Sequence, residues 1–178
     1  DWSLKISDVR LEDEGLYQCQ VGGSGSSPPM KSREGNLTVY IEPDPPSVLQ
    51  GGGSGVLSTG AGEWMELTCV SRNGKPPSTI DWLFMNSSTV QYDVRTRVEQ
   101  MGRMFTTIST IKIKVGKELD GVVIVCQAQN RMDVTPQTTR ISLDVEYPPD
   151  VKVVFDEASV REGEDLKISC LARNLHSK

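Results

Sequence analysis

Met65-Glu66-Leu67-Thr68-Cys69, Ile80-Asp81-Trp82-Leu83-Phe84 and Val122-Val123-Ile124-Val125-Cys126 are the stretches on which the fold turns. In each, an apolar residue returns at every second position: Met65, Leu67 and Cys69; Ile80, Trp82 and Phe84; Val122, Ile124 and Cys126. That is the period of a strand with one face buried. Ile111, Ile113 and Val115 alternate with Lys112 and Lys114 in the same way, and Ile141, Leu143 and Val145 form a further strand. Together these segments supply the apolar faces of two packed sheets, so the chain is expected to be all-β.

Cys69, Trp82 and Cys126 at these spacings resemble the framework of an immunoglobulin-type sandwich. The resemblance implies a disulfide between Cys69 and Cys126 that joins the facing sheets, with Trp82 packed beside it. Half of a second framework lies on each side. Upstream, Asp13, Gly15, Tyr17 and Cys19 form the D-x-G-x-Y-x-C signature of the strand that carries the second cysteine of such a domain. Downstream, Gly163-Glu164-Asp165-Leu166-Lys167-Ile168-Ser169-Cys170 repeats the pattern of Gly62-Glu63-Trp64-Met65-Glu66-Leu67-Thr68-Cys69. First-type cysteines recur 101 residues apart and second-type cysteines 107 apart, the size of one module. The proline pairs Pro45-Pro46 and Pro148-Pro149 recur in step and read as linkers.

The expected organisation is therefore a tandem of immunoglobulin-like β-sandwiches, one complete and two truncated. Residues 1–41 are the C-terminal part of one domain, 45–147 a complete domain, and 148–178 the N-terminal part of a third. Four cysteines alone allow three connectivities. The framework leaves Cys19 and Cys170 unpaired, because their partners belong to sequence beyond the two ends.

Within the first part, Trp2, Leu4 and Ile6 read as a strand, Asp8 to Gly15 as a turn, and Leu16 to Val21 as the cysteine strand. Tyr17 stands two residues before Cys19, where a tyrosine hydroxyl bonds back to nearby backbone. Gly22 to Pro29 is a hairpin loop, and Leu37, Val39 and Ile41 form the last strand. In the complete domain Gly51-Gly52-Gly53-Ser54-Gly55 lacks the spacing of a phosphate-binding loop and reads as a connection between edge strands. Asp120 holds the position six before Cys126 that Asp13 holds before Cys19. Ile124, however, stands where the tyrosine belongs, which points to a constant-like or intermediate subset.

The chain carries 24 acidic against 19 basic residues, a net charge of −5, with the cations scattered, which argues against a nucleic-acid partner. Its longest aliphatic run, Val122 to Val125, is far short of the roughly 20 residues that span a bilayer, so any membrane span lies outside the fragment. A disulfide of this kind implies an oxidising compartment. The expected address is the extracellular side of the plasma membrane.

Catalytic chemistry finds no parts. The single histidine, His176, lies in the tail, and the cysteines have structural assignments, so Ser-His-Asp, Cys-His and zinc arrangements are incomplete. Glu12, Asp13 and Glu14 read as a solvated charge cluster in a turn. No catalytic residue, metal site or cofactor is expected. Asn36-Leu37-Thr38 and Asn86-Ser87-Ser88 are N-glycosylation sequons. Asn86 falls on an expected loop, and Asn36 on the outward face of a strand whose Leu37 points inward.

The local wording narrows the resemblance. Tyr17-Gln18-Cys19-Gln20-Val21-Gly22, Ser32-Arg33, Leu37-Thr38-Val39-Tyr40 and Pro45-Pro46 resemble the end of the first immunoglobulin domain of the roughest/kirre and nephrin-like adhesion receptors. Glu66 to Ser71, Gly74-Lys75-Pro76 and Ile80-Asp81-Trp82 are similar to the start of their second domain, and Cys126 to Asn130 with Val145 to Pro149 to its end. Asp120-Gly121-Val122 before Ile124-Val125-Cys126 is equally similar to the second domain of nectins and nectin-like molecules. Both resemblances imply a single-pass cell-surface protein whose outermost domain binds a like domain on the opposing cell, homophilically or heterophilically. The sheet containing the second-cysteine strand makes that contact. On this chain the face holds Gln18 and Gln20, with Met30, Lys31 and Arg33 near the hairpin. The ectodomain of a receptor kinase or phosphatase could share these features.

Overall fold

The computed structural model describes residues 3–26, 28–51, 54–87, 90–131, 133–156 and 159–173. Trp2, His176 and Ser88 of the second sequon lie outside the described residues.

The middle of the chain is a two-sheet sandwich. Its strands are β5 (Ser47–Val48), β6 (Val56–Gly60), β7 (Trp64–Gly74), β8 (Thr79–Met85), β9 (Tyr92–Met101), β10 (Met104–Lys114), β11 (Val123–Gln129) and β12 (Gln137–Glu146). They follow β1 (Gly15–Tyr17), β2 (Gln20–Val21), β3 (Met30–Lys31) and β4 (Gly35–Leu37), and precede β13 (Asp150–Phe155) and β14 (Ile168–Arg173). One sheet of the sandwich has the order β5-β7-β10-β9 and the other β6-β12-β11-β8. The chain changes sheets between β5 and β6 through the glycine-rich loop. There Gly51 has φ +92°, a conformation that favours glycine, and a Cβ on it would press on the tip of the Ile141 side chain at 2.7 Å.

The inward positions read from the sequence form the core. Leu67, Cys69, Ile111, Ile113, Ile124, Cys126, Leu143 and Val145 are buried, and Ile80 and Phe84 pack against them at its edge. Cys69 and Cys126 are bonded, their Cα atoms 6.5 Å apart. Trp82 lies directly opposite Cys126 in the β8–β11 ladder. Its indole N–H donates to Ser109 Oγ at 3.1 Å, and Thr96 Oγ1 donates to the same oxygen at 3.2 Å. Thr107 Oγ1 donates to the Ser78 carbonyl at 2.9 Å, which gives that buried hydroxyl its partner. Among the described residues no buried side-chain polar atom lacks a hydrogen bond.

The two tyrosine-corner positions differ as expected. Tyr17 donates its hydroxyl to the Asp13 carbonyl at 2.6 Å. In the sandwich Ile124 is buried in the core instead, and Asp120 Oδ1 accepts from the Val145 amide at 3.0 Å, tying the turn before β11 to β12.

Within the first segment the strands depart from the sequence reading in three places. No ladder forms at residues 3–7, and Leu4 is exposed. The expected strand Leu16–Val21 divides into β1, which pairs with β4, and β2, which pairs with β3. The last strand of the first part ends at Leu37, while Ile41 forms an isolated bridge to Lys75. A strand is defined by its neighbours and not by its alternation: residues 3–7 have no ladder partner, while the other two segments pair with whatever lies within reach. β13 and β14 pair antiparallel, with Val153 opposite Cys170.

Candidate functional site

The β2–β3 hairpin carries the expected contact face. Gln20 is directly opposite Lys31, and Val21 opposite Met30. Directly opposed residues share a face, and successive residues point to opposite ones. Gln20 and Lys31 therefore lie on one side, with Gln18 and Arg33 in step two residues away. Met30 lies on the other side with Val21, in step with Cys19, so the five residues do not form one surface. Met30 belongs to the apolar side of this ribbon, and all five are exposed.

Backbone contacts fix this hairpin. The Ser32 amide donates to the Cys19 carbonyl at 2.8 Å, and the Cys19 amide donates to Ser32 Oγ at 2.9 Å. Gln18 Nε2 donates to the Ser32 carbonyl at 3.1 Å. The Gln18 side chain thus lies across the ribbon, held by one half of its amide. Cys19 is a free, exposed thiol, as is Cys170.

A second cluster, at the junction of the first segment with the sandwich, was not foreseen. Glu14 is not a solvated member of an acidic turn: its carboxylate pairs with the Lys75 ammonium, 61 residues away, and accepts from the Val39 amide at 3.2 Å. The Lys75 hydrogen bond first, and the Val39 amide second, hold the Glu14 carboxyl below its ordinary value. Asp13 is also engaged, accepting from the Arg10 amide at 2.7 Å. Around the pair, Ile41 and Lys75 exchange backbone hydrogen bonds of 2.9 and 3.0 Å. Asn130 Nδ2 donates to the Ile41 carbonyl at 2.7 Å, and Arg103 donates to the Leu11 carbonyl at 2.7 Å. The Arg131 guanidinium sits 4.5 Å from the Tyr40 ring centroid. Burial, and then the hydrogen bond to Glu42, push the Tyr40 hydroxyl up from its ordinary value.

Both sequon asparagines are exposed. Asn36 lines a cleft of about 370 Å³ at this junction, together with Glu14, Lys75, Gln100 and Arg103. Asn86 follows the last residue of β8 with φ 65°. No group of three or more metal-ligating side chains occurs among the described residues, and no helix there is long and apolar enough to cross a membrane.

Comparison with known proteins agrees with this geometry. Residues 44–137 match the family model of the CD80-like C2-set immunoglobulin domain. Rat cell adhesion molecule 2 is 32% identical over 171 residues, covering 94% of this chain and 37% of the relative. The Drosophila melanogaster irregular chiasm C-roughest protein is 35% identical over 158 residues, covering 86% of this chain and 20% of the relative. The chain thus spans well under half the length of either. Among solved structures, the full Ig1–Ig3 ectodomain of mouse nectin-like molecule 4 superposes with a TM-score of 0.62 at 27% identity, covering 94% of this chain and 55% of that one. The relatives are adhesion proteins of the immunoglobulin superfamily, and by the match across its sandwich this chain belongs to that superfamily as a CD80-like C2-set immunoglobulin protein.

Proposed function

We propose that this chain is part of the extracellular region of a cell-surface adhesion receptor, and that its first domain binds a like immunoglobulin domain, homophilic or related, on an opposing cell. The similarity to adhesion proteins over nearly the whole chain carries this reading. The disulfide supports the extracellular side of the plasma membrane, because such a bond persists in oxidising compartments. The anchor is a span elsewhere in the full-length protein. Residues 1–41, 45–147 and 148–178 are read as parts of three successive domains, with Asn36 and Asn86 glycosylated.

The contact face on the first domain is Gln18, Gln20, Lys31 and Arg33. Uncharged amides beside two cations suit a polar interface, since an amide both donates and accepts. Gln18, already held against Ser32, loses little conformational freedom on binding.

Aggregation of cells displaying the full-length protein tests this reading, with Gln18→Glu and Gln20→Glu compared with Lys114→Glu on the sandwich. A buried amide left without its partner costs about 1–3 kcal/mol, so either glutamine variant is expected to weaken adhesion by about 5- to 150-fold. Unchanged aggregation in both glutamine variants removes this face from the mechanism.

A further inference from the structure

β9 is the edge of its sheet, and every one of its residues is exposed. The two-residue turn Gly102–Arg103 joins it to β10, with Gly102 at φ +64° in the first central position. The pair that closes such a turn, Met101 with Met104, exchanges both backbone hydrogen bonds, and the bonded pairs alternate from there. The register runs without a break to Tyr92 opposite Ile113. Asp93, Arg95, Arg97 and Glu99 therefore bond to β10. Tyr92, Val94, Thr96 and Val98 turn their N–H and C=O groups to the open edge.

The side chains sort the same way. Tyr92, Val94 and Val98 point to the core side yet are 38, 54 and 50% exposed, a larger share than a half-buried strand face leaves open. Asp93, Arg95, Arg97 and Glu99 form the outer row. Arg97 pairs with Glu99 at 3.0 Å, whereas among the described residues Asp93 and Arg95 form no ion pair.

We propose that β9 pairs antiparallel with β9 of a second copy of this chain, about a two-fold axis through Val94. That register meets the free backbone groups of Val94 with its own equivalent, and those of Tyr92 with Thr96. It also sets Asp93 of each copy directly opposite Arg95 of the other, at the closely spaced non-hydrogen-bonded positions. Neighbouring registers lose this. An axis at Arg95 opposes that arginine to itself, and one at Thr96 opposes Arg95 to Arg97 and Asp93 to Glu99. An axis at Val98 would use a pair already formed within the strand and would bring the second copy onto Gln100, which lines the junction cleft beside Glu14. The result is one continuous sheet of eight strands across two copies. This contact is independent of the first-domain face.

Sedimentation equilibrium of the purified chain, with Cys19 and Cys170 alkylated, tests it. A reversible dimer in the micromolar-to-millimolar range is expected. Asp93→Arg and Arg95→Asp should each weaken it at least about tenfold, because each puts two like-charge pairs across the axis. The mixture of the two single variants should associate again, since every opposed pair is then of opposite sign; a purely structural defect in either variant could not be repaired this way. Val94→Pro should abolish pairing without touching a β10 bond, and Gln18→Glu should leave it unchanged. A wild-type chain that stays monomeric throughout would overturn the proposal and make the outer row a guard against edge pairing. So would a dimer indifferent to both charge reversals, or single variants that fail to associate when mixed.

Discussion

Removing the Cys69–Cys126 bond, as Cys69→Ala with Cys126→Ala, is the perturbation whose size can be worked most directly. The bond closes a loop across a sequence separation of 57 residues. In the chain-entropy model a loop of that length restricts the unfolded chain by about 14 cal/mol/K, or about 4 kcal/mol at 25 °C. Typical domains are stable by only about 5–15 kcal/mol, so most of the margin is at stake. For a domain of this size about 1 kcal/mol shifts Tm by about 4–8 °C, which predicts a fall of roughly 15–30 °C. Both sulfurs are buried in the core against Trp82, so the alanines also leave a small void that adds to the loss. Calorimetry of the whole chain, with tryptophan fluorescence reporting on Trp82, measures it. A Tm lowered by less than about 5 °C would show that the unfolded sandwich is already restrained without the bond, and the entropy argument would fail.

Three further outcomes follow from particular contacts. Ser109→Val removes the acceptor of the Trp82 indole, and the stranded buried donor should cost about 1–3 kcal/mol, read as a lower urea midpoint with an unchanged slope. An effect below about 0.5 kcal/mol would mean that the indole finds another partner. Because the folded Glu14 carboxyl is held below its ordinary 4.5, its contribution to the junction is full above that pH and disappears as pH falls through the depressed value. Side-chain carboxyl NMR should show Glu14 titrating higher in Lys75→Met than in the wild type, though still held down by the Val39 amide, and an unchanged titration would acquit the ion pair. Residues 45–147, excised, should melt cooperatively, since the whole buried cluster falls within them. A melt that appears only with the flanking segments attached would refute the domain division.

The core was readable because one face of each central strand is dry. Met65, Leu67 and Cys69, or Ile141, Leu143 and Val145, alternate with polar neighbours, and burial follows that period. β9 was missed for the complementary reason. Its alternating Tyr92, Val94, Thr96 and Val98 lie where the facing sheet has already ended at β8, and no buried stripe distinguishes them from a loop. Val125 shows the reverse error. Alternation turns it outward, yet it is 4% exposed, flanked in the ladders by Leu83 and Arg140, whose long stem can lie over it. The candidate face was half legible. Alternation gave the directions of Gln18 and Gln20, but the register that separates Met30 from Lys31 is fixed by the hairpin turn. Glu14 and Lys75 could not be matched from sequence, because nothing local records a contact 61 residues away.

The junction gives the two proposed contacts their combined effect. Contacts that are each weak reinforce one another only when a stiff connection lets both form at once; a loose one dilutes the second event. The proposed lateral pairing through β9 would act on the sandwich, while the proposed cell-to-cell recognition would act on the β2–β3 hairpin. The path between them runs through the Ile41–Lys75 bridge, Asn130 on the Ile41 carbonyl, Arg103 on Leu11, and Glu14 on Lys75. These contacts cross from the first segment to three separate parts of the sandwich and so restrain the elbow at more than one point. Two copies paired along β9 would then present two hairpins at a fixed separation and angle. Loosening the junction by Lys75→Met should therefore lower cell aggregation while leaving the solution dimer intact, a dissociation that neither contact alone would produce.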